Sequence, residues 1–166
     1  MDDLSQLAEE VGAALKSRGL MLATAESCTG GWVGEVVTSV AGSSHWYDRG
    51  FITYTNESKQ EMLGVSANTL AEYGAVSEQT VREMAAGALK HSRAHITLAI
   101  SGIAGPEGGS PDKPVGTVCV AWAMLNGLER SHTYRFLGER DDVRRQAVIA
   151  ALRELRQLIE ADTATV

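Results

Sequence analysis

Apolar residues recur at Leu4, Leu7, Val11 and Leu15, three or four apart, and Gly19 follows them. This spacing predicts an amphipathic helix over 4–18 that stops at the glycine. The short apolar run 20–25 reads as a strand, and after the loop 26–31 a second helical stretch runs from about 31 to 40. Residues 51–55 are β-branched and aromatic, a strand signature, and Asn56 is a good cap for a helix beginning at Glu57. From Ser77 onward Val81, Met84, Ala85, Ala88 and Leu89 mark another helix, and 96–100 is a continuous apolar run of the fully buried strand type. Segments 115–124 and 128–136 flank Asn126-Gly127, which predicts an antiparallel hairpin closed by a type I′ turn. Val148, Leu152, Leu155 and Ile159 define a last helix that starts near Asp141.

Strands alternating with helices, plus one hairpin, predict an α/β fold: a three-layer α/β/α arrangement with a mixed, mostly parallel sheet, in a single domain spanning 1–166. Ligands of such folds bind beyond the carboxyl ends of the strands. The loops 26–31, 56–59 and 101–116 leave such ends, and parallel strands would place all three on one rim.

Composition narrows the classes. With 44% hydrophobic and 22% charged residues in 166, the chain is expected to fold and bury a core without metals or disulfides. No apolar run approaches the ~20 residues of a membrane span, and the amino terminus is acidic where a signal peptide would be basic, so a cytoplasmic protein without a membrane partner is expected. Cys28 and Cys119 form neither a CxxC pair nor a metal cluster, which suits a reducing compartment. A net charge of −6 gives no general attraction for nucleic acid; a small anionic ligand fits better.

Candidate chemistry collects in the predicted loops. Ser27, on a strand-to-helix turn, is a candidate nucleophile; the alternative is a helix cap. Cys28 competes as a nucleophile or is a small apolar residue. His45, His91, His95 and His132 lie outside the three loops, so no Ser-His-Asp set can be drawn; His91 and His95 have i, i+4 spacing without the glutamate or the further ligands of a zinc helix. Lys59, in a predicted first helical turn, faces the positive end of the dipole, which lowers its pKa and favours a neutral base, with Tyr54 five residues before it as a relay; the alternative is a solvated lysine and a strand tyrosine. The loop 101–116 carries five glycines and three prolines and offers backbone N–H groups to a phosphate, although it is neither a Walker A motif nor GxGxxG. Arg140, Arg144 and Arg145 at a helix start favour a bound anion, or pair with Glu139, Asp141 and Asp142.

Four stretches, "TAESCTGGW", "GFITYTNESK", "GAVSE" and "SGIAGPEGGSPDKPVGTV", together resemble the CinA carboxy-terminal domain family, whose stand-alone members are nicotinamide mononucleotide amidohydrolases. The likeness runs from the first predicted helix to the last, and without the amino-terminal domain of the larger CinA proteins the chain looks like the stand-alone form. The resemblance implies hydrolysis of the nicotinamide mononucleotide carboxamide to nicotinic acid mononucleotide and ammonia, with no metal or organic cofactor and a homodimer or higher homo-oligomer. It implies a serine, a lysine and a tyrosine in catalysis, which fall on Ser27, Lys59 and Tyr54. Backbone N–H groups over 29–31, including Gly30 and Gly31, would hold the oxyanion, with Glu26 and Thr29 orienting the ligand. Ser101, Gly102, Ala104 and Gly105 of the loop, with one or more of Arg140, Arg144 and Arg145, would bind ribose and phosphate. A non-catalytic nucleotide-binding or partner-docking module linked to competence or DNA damage stays open as an alternative, as does hydrolysis of another small phosphorylated substrate.

Overall fold

In chain order the elements are α1 (Asp3–Ser17), β1 (Leu22–Glu26), α2 (Trp32–Thr38), a 3-10 turn (Ser43–His45), β2 (Tyr47–Ile52), α3 (Asn56–Leu63), α4 (Ala67–Tyr73), α5 (Glu78–Lys90), β3 (Ile96–Gly102), β4 (Thr117–Met124), β5 (Glu129–Arg135) and α6 (Arg140–Asp162). They come from a computed structural model that describes residues 3–162. The sheet has the order β2-β1-β3-β4-β5. β1 pairs in parallel with β2 and β3, whereas β3–β4 and β4–β5 are antiparallel, so four of the five strands point one way.

Alternation along the central strands sorts large residues to one face and small ones to the other. Leu98, Ile100, Val120 and Trp122 meet α1, α2 and α6 through Leu7, Val11, Val36, Val148 and Leu152. On the opposite face Ala25, Ala99, Ala121 and Ala123 meet α3 and α5 through Leu63, Val81, Met84 and Ala88. The alanine face lets α5 lie close to the sheet, and α3 lies close to α5 in turn. A Cβ at Gly87 of α5 would stand 1.9 Å from the Leu63 carbonyl oxygen, so glycine is the residue that fits there.

From β1 the chain goes to β2 on one side, then returns through α3, α4 and α5 to β3 on the other side of β1. The connections leaving β1 and β3 therefore diverge, opening a crevice beyond their carboxyl ends, where α/β folds bind ligands. The parallel arrangement of β1, β2 and β3 does place their three following loops on one rim.

The structure corrects several local expectations. β2 starts at Tyr47, not Phe51; as an edge strand it accepts polar residues that hide it from a hydrophobic pattern. Thr55, not Asn56, caps α3, through a reciprocal capping box with Ser58 that leaves Asn56 as the first helical residue. Helix α4 was not expected, and none of its residues is fully buried, so it has no apolar stripe to read. The hairpin turn is not type I′: only Gly127 has positive φ, at 96°, and its N–H donates to Met124 O at 3.0 Å, so Leu125 and Asn126 form the turn and the glycine completes a three-residue loop.

Candidate functional site

Glu26 ends β1 and is turned toward α2. Its carboxylate accepts from Thr29 Oγ1 at 2.7 Å, Val33 N at 2.9 Å and Gly34 N at 3.1 Å. It thus caps α2 from the strand, replacing a cap that Gly31 cannot offer. Gly30 and Gly31, at φ 60° and 103°, turn the chain into that helix. Arg144 fastens the same loop from α6, donating from Nε to Cys28 O at 3.0 Å and from Nη2 to Thr29 O at 3.4 Å, with its guanidinium over Trp32. Residues 26–29 are thereby clamped between α2 and α6.

Alternation turns Ser27 the other way, toward α3. There Lys59, only 1% exposed, donates from Nζ to Ser27 Oγ at 3.0 Å, Thr53 O at 2.9 Å and Tyr54 O at 3.4 Å. Among the described residues no carboxylate bonds to the amine, and Glu26 is engaged on the other side of the strand. Burial holds the Lys59 pKa below the ordinary 10.5, with Cys28 opposing weakly. The direction agrees with the sequence expectation, but the cause is desolvation rather than the helix dipole. Burial pushes the Cys28 thiol up to about 11, and it is Ser27, not Cys28, that meets the Lys59 amine.

Ser27 and Lys59 open into a cavity of about 260 Å³ whose wall includes Cys28, Tyr54, Asn56, Ala75, Val76, Ser101, Gly102, Ala104 and Arg140. Two neighbouring depressions are larger, at about 600 Å³ beside the start of α5 and about 620 Å³ beside the start of α6, but neither has Ser27 or Lys59 in its wall. At the cavity mouth Tyr54 is 61% exposed, and its hydroxyl accepts from Arg140 Nη2 at 3.2 Å while Arg140 Nη1 donates to Gly105 O at 2.7 Å. The Tyr54 hydroxyl is thus held by Arg140, and it is the Tyr54 backbone carbonyl that meets Lys59.

Of the three arginines expected near a phosphate, only Arg140 lines the cavity; Arg144 supports the loop and Arg145 is not among the lining residues. Gly105 enters the site through its carbonyl, which holds Arg140. Among the expected oxyanion donors, Gly30 N–H is already engaged by Ser27 O at 3.0 Å. Sequence reading did not single out Asn56 as a lining residue or Arg144 as a clamp. The first was assigned to the cap, and the second depends on a contact across 116 residues that no local pattern carries. The histidines serve structure: His95 Nδ1 accepts from Met21 N at 2.9 Å, and the His91 ring lies 2.8 Å from Gly87 O.

The chain is similar over nearly its whole length to known proteins. A relative from Escherichia coli (strain K12), named nicotinamide-nucleotide amidohydrolase PncC, is 57% identical over 155 residues, covering 93% of this chain and 94% of that one. A Pseudomonas putida protein of the same name is 46% identical over 158 residues, covering 95% and 98%. Among solved structures, the competence/damage inducible protein CihA from Agrobacterium tumefaciens superposes with a TM-score of 0.93 at 46% identity, covering 95% of this chain and 96% of that one. The family model of the CinA C-terminal domain matches residues 4–159, and on that extent the chain belongs to the CinA C-terminal domain family.

Proposed function

We propose that the protein hydrolyses the carboxamide of nicotinamide mononucleotide to nicotinic acid mononucleotide and ammonia, with Ser27 as nucleophile and Lys59 as base. The observation that carries the reading is the 3.0 Å contact between two buried side chains, Lys59 Nζ and Ser27 Oγ. A neutral amine has two N–H donors and one lone pair. When the amine is neutral, the carbonyls of Thr53 and Tyr54 accept its two N–H groups and the contact that an ammonium donates to Ser27 is reversed, the Ser27 hydroxyl donating to the lone pair. The substrate is taken from the name of the relatives that match over nearly the whole chain.

In this reading Lys59 removes the hydroxyl proton as Ser27 Oγ bonds to the amide carbon and the carbonyl electrons move to oxygen. Collapse breaks the C–N bond, and Lys59 returns the proton to the departing ammonia. Water then attacks the acyl-serine with Lys59 again taking a proton, and collapse breaks the bond from carbon to Ser27 Oγ, which recovers its proton from Lys59 as the acid leaves. The N–H of Cys28, the residue after the nucleophile, serves as oxyanion donor in this reading, since among the described residues no backbone carbonyl accepts from it. Arg140 meets the phosphate by exchanging the Gly105 and Tyr54 contacts for it. A binding module without chemistry has no use for a lysine desolvated against a serine, which favours the catalytic reading.

One domain carries the activity. We place it in the cytoplasm: no helix among the described residues is long and apolar enough to cross a membrane, and both cysteines are free and buried. The test is incubation of the purified protein with nicotinamide mononucleotide, following ammonia and nicotinic acid mononucleotide together. Equimolar appearance of the two supports the reading, and ammonia from a different phosphorylated amide alone replaces the substrate.

A further inference from the structure

The polar side chains around the catalytic cavity divide into those that hold one another and those that do not. Lys59 holds Ser27, and Arg140 holds Tyr54. Asn56 and Ser101 also line the cavity, and neither side chain has a protein partner among the described residues. Asn56 is exposed, so water satisfies it, but Ser101 is only 2% exposed. A hydroxyl so deeply buried and turned into a cavity is expected to find its partner in whatever fills that cavity.

Its position says which part of a ligand it meets. Glu26 pairs with Ile100 across β1 and β3, and Ser27 N–H donates to Ile100 O at 3.0 Å, so Ser101 stands beside Ser27 on the neighbouring strand. Adjacent strands lie about 4.8 Å apart. Ala25 and Ala99, two residues earlier in each strand, pack on the face that carries α3 and α5, and Ser27 and Ser101 continue on that face. Lys59 approaches Ser27 from the β2 side, and Ser101 lies on the β3 side. The leaving nitrogen must face Lys59, its proton donor, which turns the carbonyl oxygen away from the lysine and toward Ser101.

We propose that Ser101 is a catalytic residue whose hydroxyl donates a hydrogen bond to the carbonyl oxygen under attack, completing an oxyanion site with the Cys28 N–H. The inference rests on the amidohydrolase reading above and moves Ser101 from ribose binding to the reacting centre. Ser101 keeps its proton throughout: the new bond is Ser27 Oγ to carbon, the carbonyl pair moves to oxygen, and the transferred proton travels by Lys59.

The experiment measures kcat and KM for ammonia release from nicotinamide mononucleotide by the wild type, Ser101→Ala, Ser101→Cys and Ser101→Thr, with circular dichroism on each. Loss of a side-chain oxyanion donor lowers kcat by about 10²-fold. Ser101→Ala should show that loss with KM changed less than about threefold, and Ser101→Thr should recover most of it because the hydroxyl returns. A folded Ser101→Ala with kcat within about threefold of the wild type, or with its defect in KM alone, overturns the role. If Ser101→Ala does not fold, Ser101→Cys decides: a weak thiol donor should cost about tenfold or more in kcat, and an unchanged kcat overturns the role. Ammonia release by the wild type that Ser27→Ala abolishes would stand whichever way Ser101 falls. No release by the wild type removes the amidohydrolase reading and this role together.

Discussion

At the scale of single residues, the site depends on what surrounds Lys59. Burial lowers its pKa, so the folded chain releases this proton at a lower pH than the unfolded chain does. The proposed mechanism needs the neutral amine, so kcat/KM should rise with pH along a limb centred below the ordinary lysine value of 10.5. Stability should rise across the same window, between the depressed folded value and 10.5, because there the unfolded state binds the extra proton. Denaturant titrations of the wild type and Lys59→Met check this: the substitution should remove that part of the slope, and an unchanged slope would locate the titration elsewhere. Ser27 and Lys59 were legible as candidates because a serine after a strand and a lysine early in a helix are local patterns. Their contact, 32 residues apart in the chain, was not local, and neither was the engagement of Tyr54 by Arg140 across 86 residues. The four polar side chains at 26–29 have distinct surroundings: Glu26 caps α2, Ser27 meets the lysine, Cys28 is packed away, and Thr29 steadies Glu26.

At the scale of elements, the position of Lys59 is set by how α3 lies on α5. Gly87 permits the approach of the Leu63 carbonyl, and the obstruction to any larger residue is backbone, which cannot swing aside as a side chain can. Gly87→Ala should therefore destabilise by about 1–3 kcal/mol or more, despite alanine being the better helix former. Thermal unfolding measures this as a fall of about 2–4 °C for each kcal/mol in a domain of this size. A rise in the midpoint would show that the contact yields. The elements read most accurately from sequence were those with one continuous buried face, such as α1, β3 and α5. The first residues of edge strand β2 and the whole of helix α4 escaped because exposure removes the pattern, and the hairpin loop was misread because Asn-Gly also suits a three-residue turn with glycine last.

At the scale of the whole molecule, the sheet order brings three distant segments to one rim: the turn after β1 contributes Ser27, the chain after β2 contributes Tyr54 and Lys59, and β3 contributes Ser101. The start of α6 adds Arg140. Remote binding of a phosphate helps align the amide for attack, so its loss should be selective for the nucleotide. Arg140→Ala should lower kcat/KM for nicotinamide mononucleotide by about 10-fold or more while leaving any turnover of free nicotinamide within about threefold. Equal loss on both substrates would assign Arg140 to the architecture of the Gly105 loop.

The central claim is that Ser27 and Lys59 act as a nucleophile and base. Its most direct test is single-turnover ammonia release from nicotinamide mononucleotide by the wild type, Ser27→Ala and Lys59→Ala, each confirmed folded. The account predicts loss of about 10³-fold or more in both variants, because residues that act as a unit fail together. Release at the wild-type rate by folded Ser27→Ala or folded Lys59→Ala would contradict it.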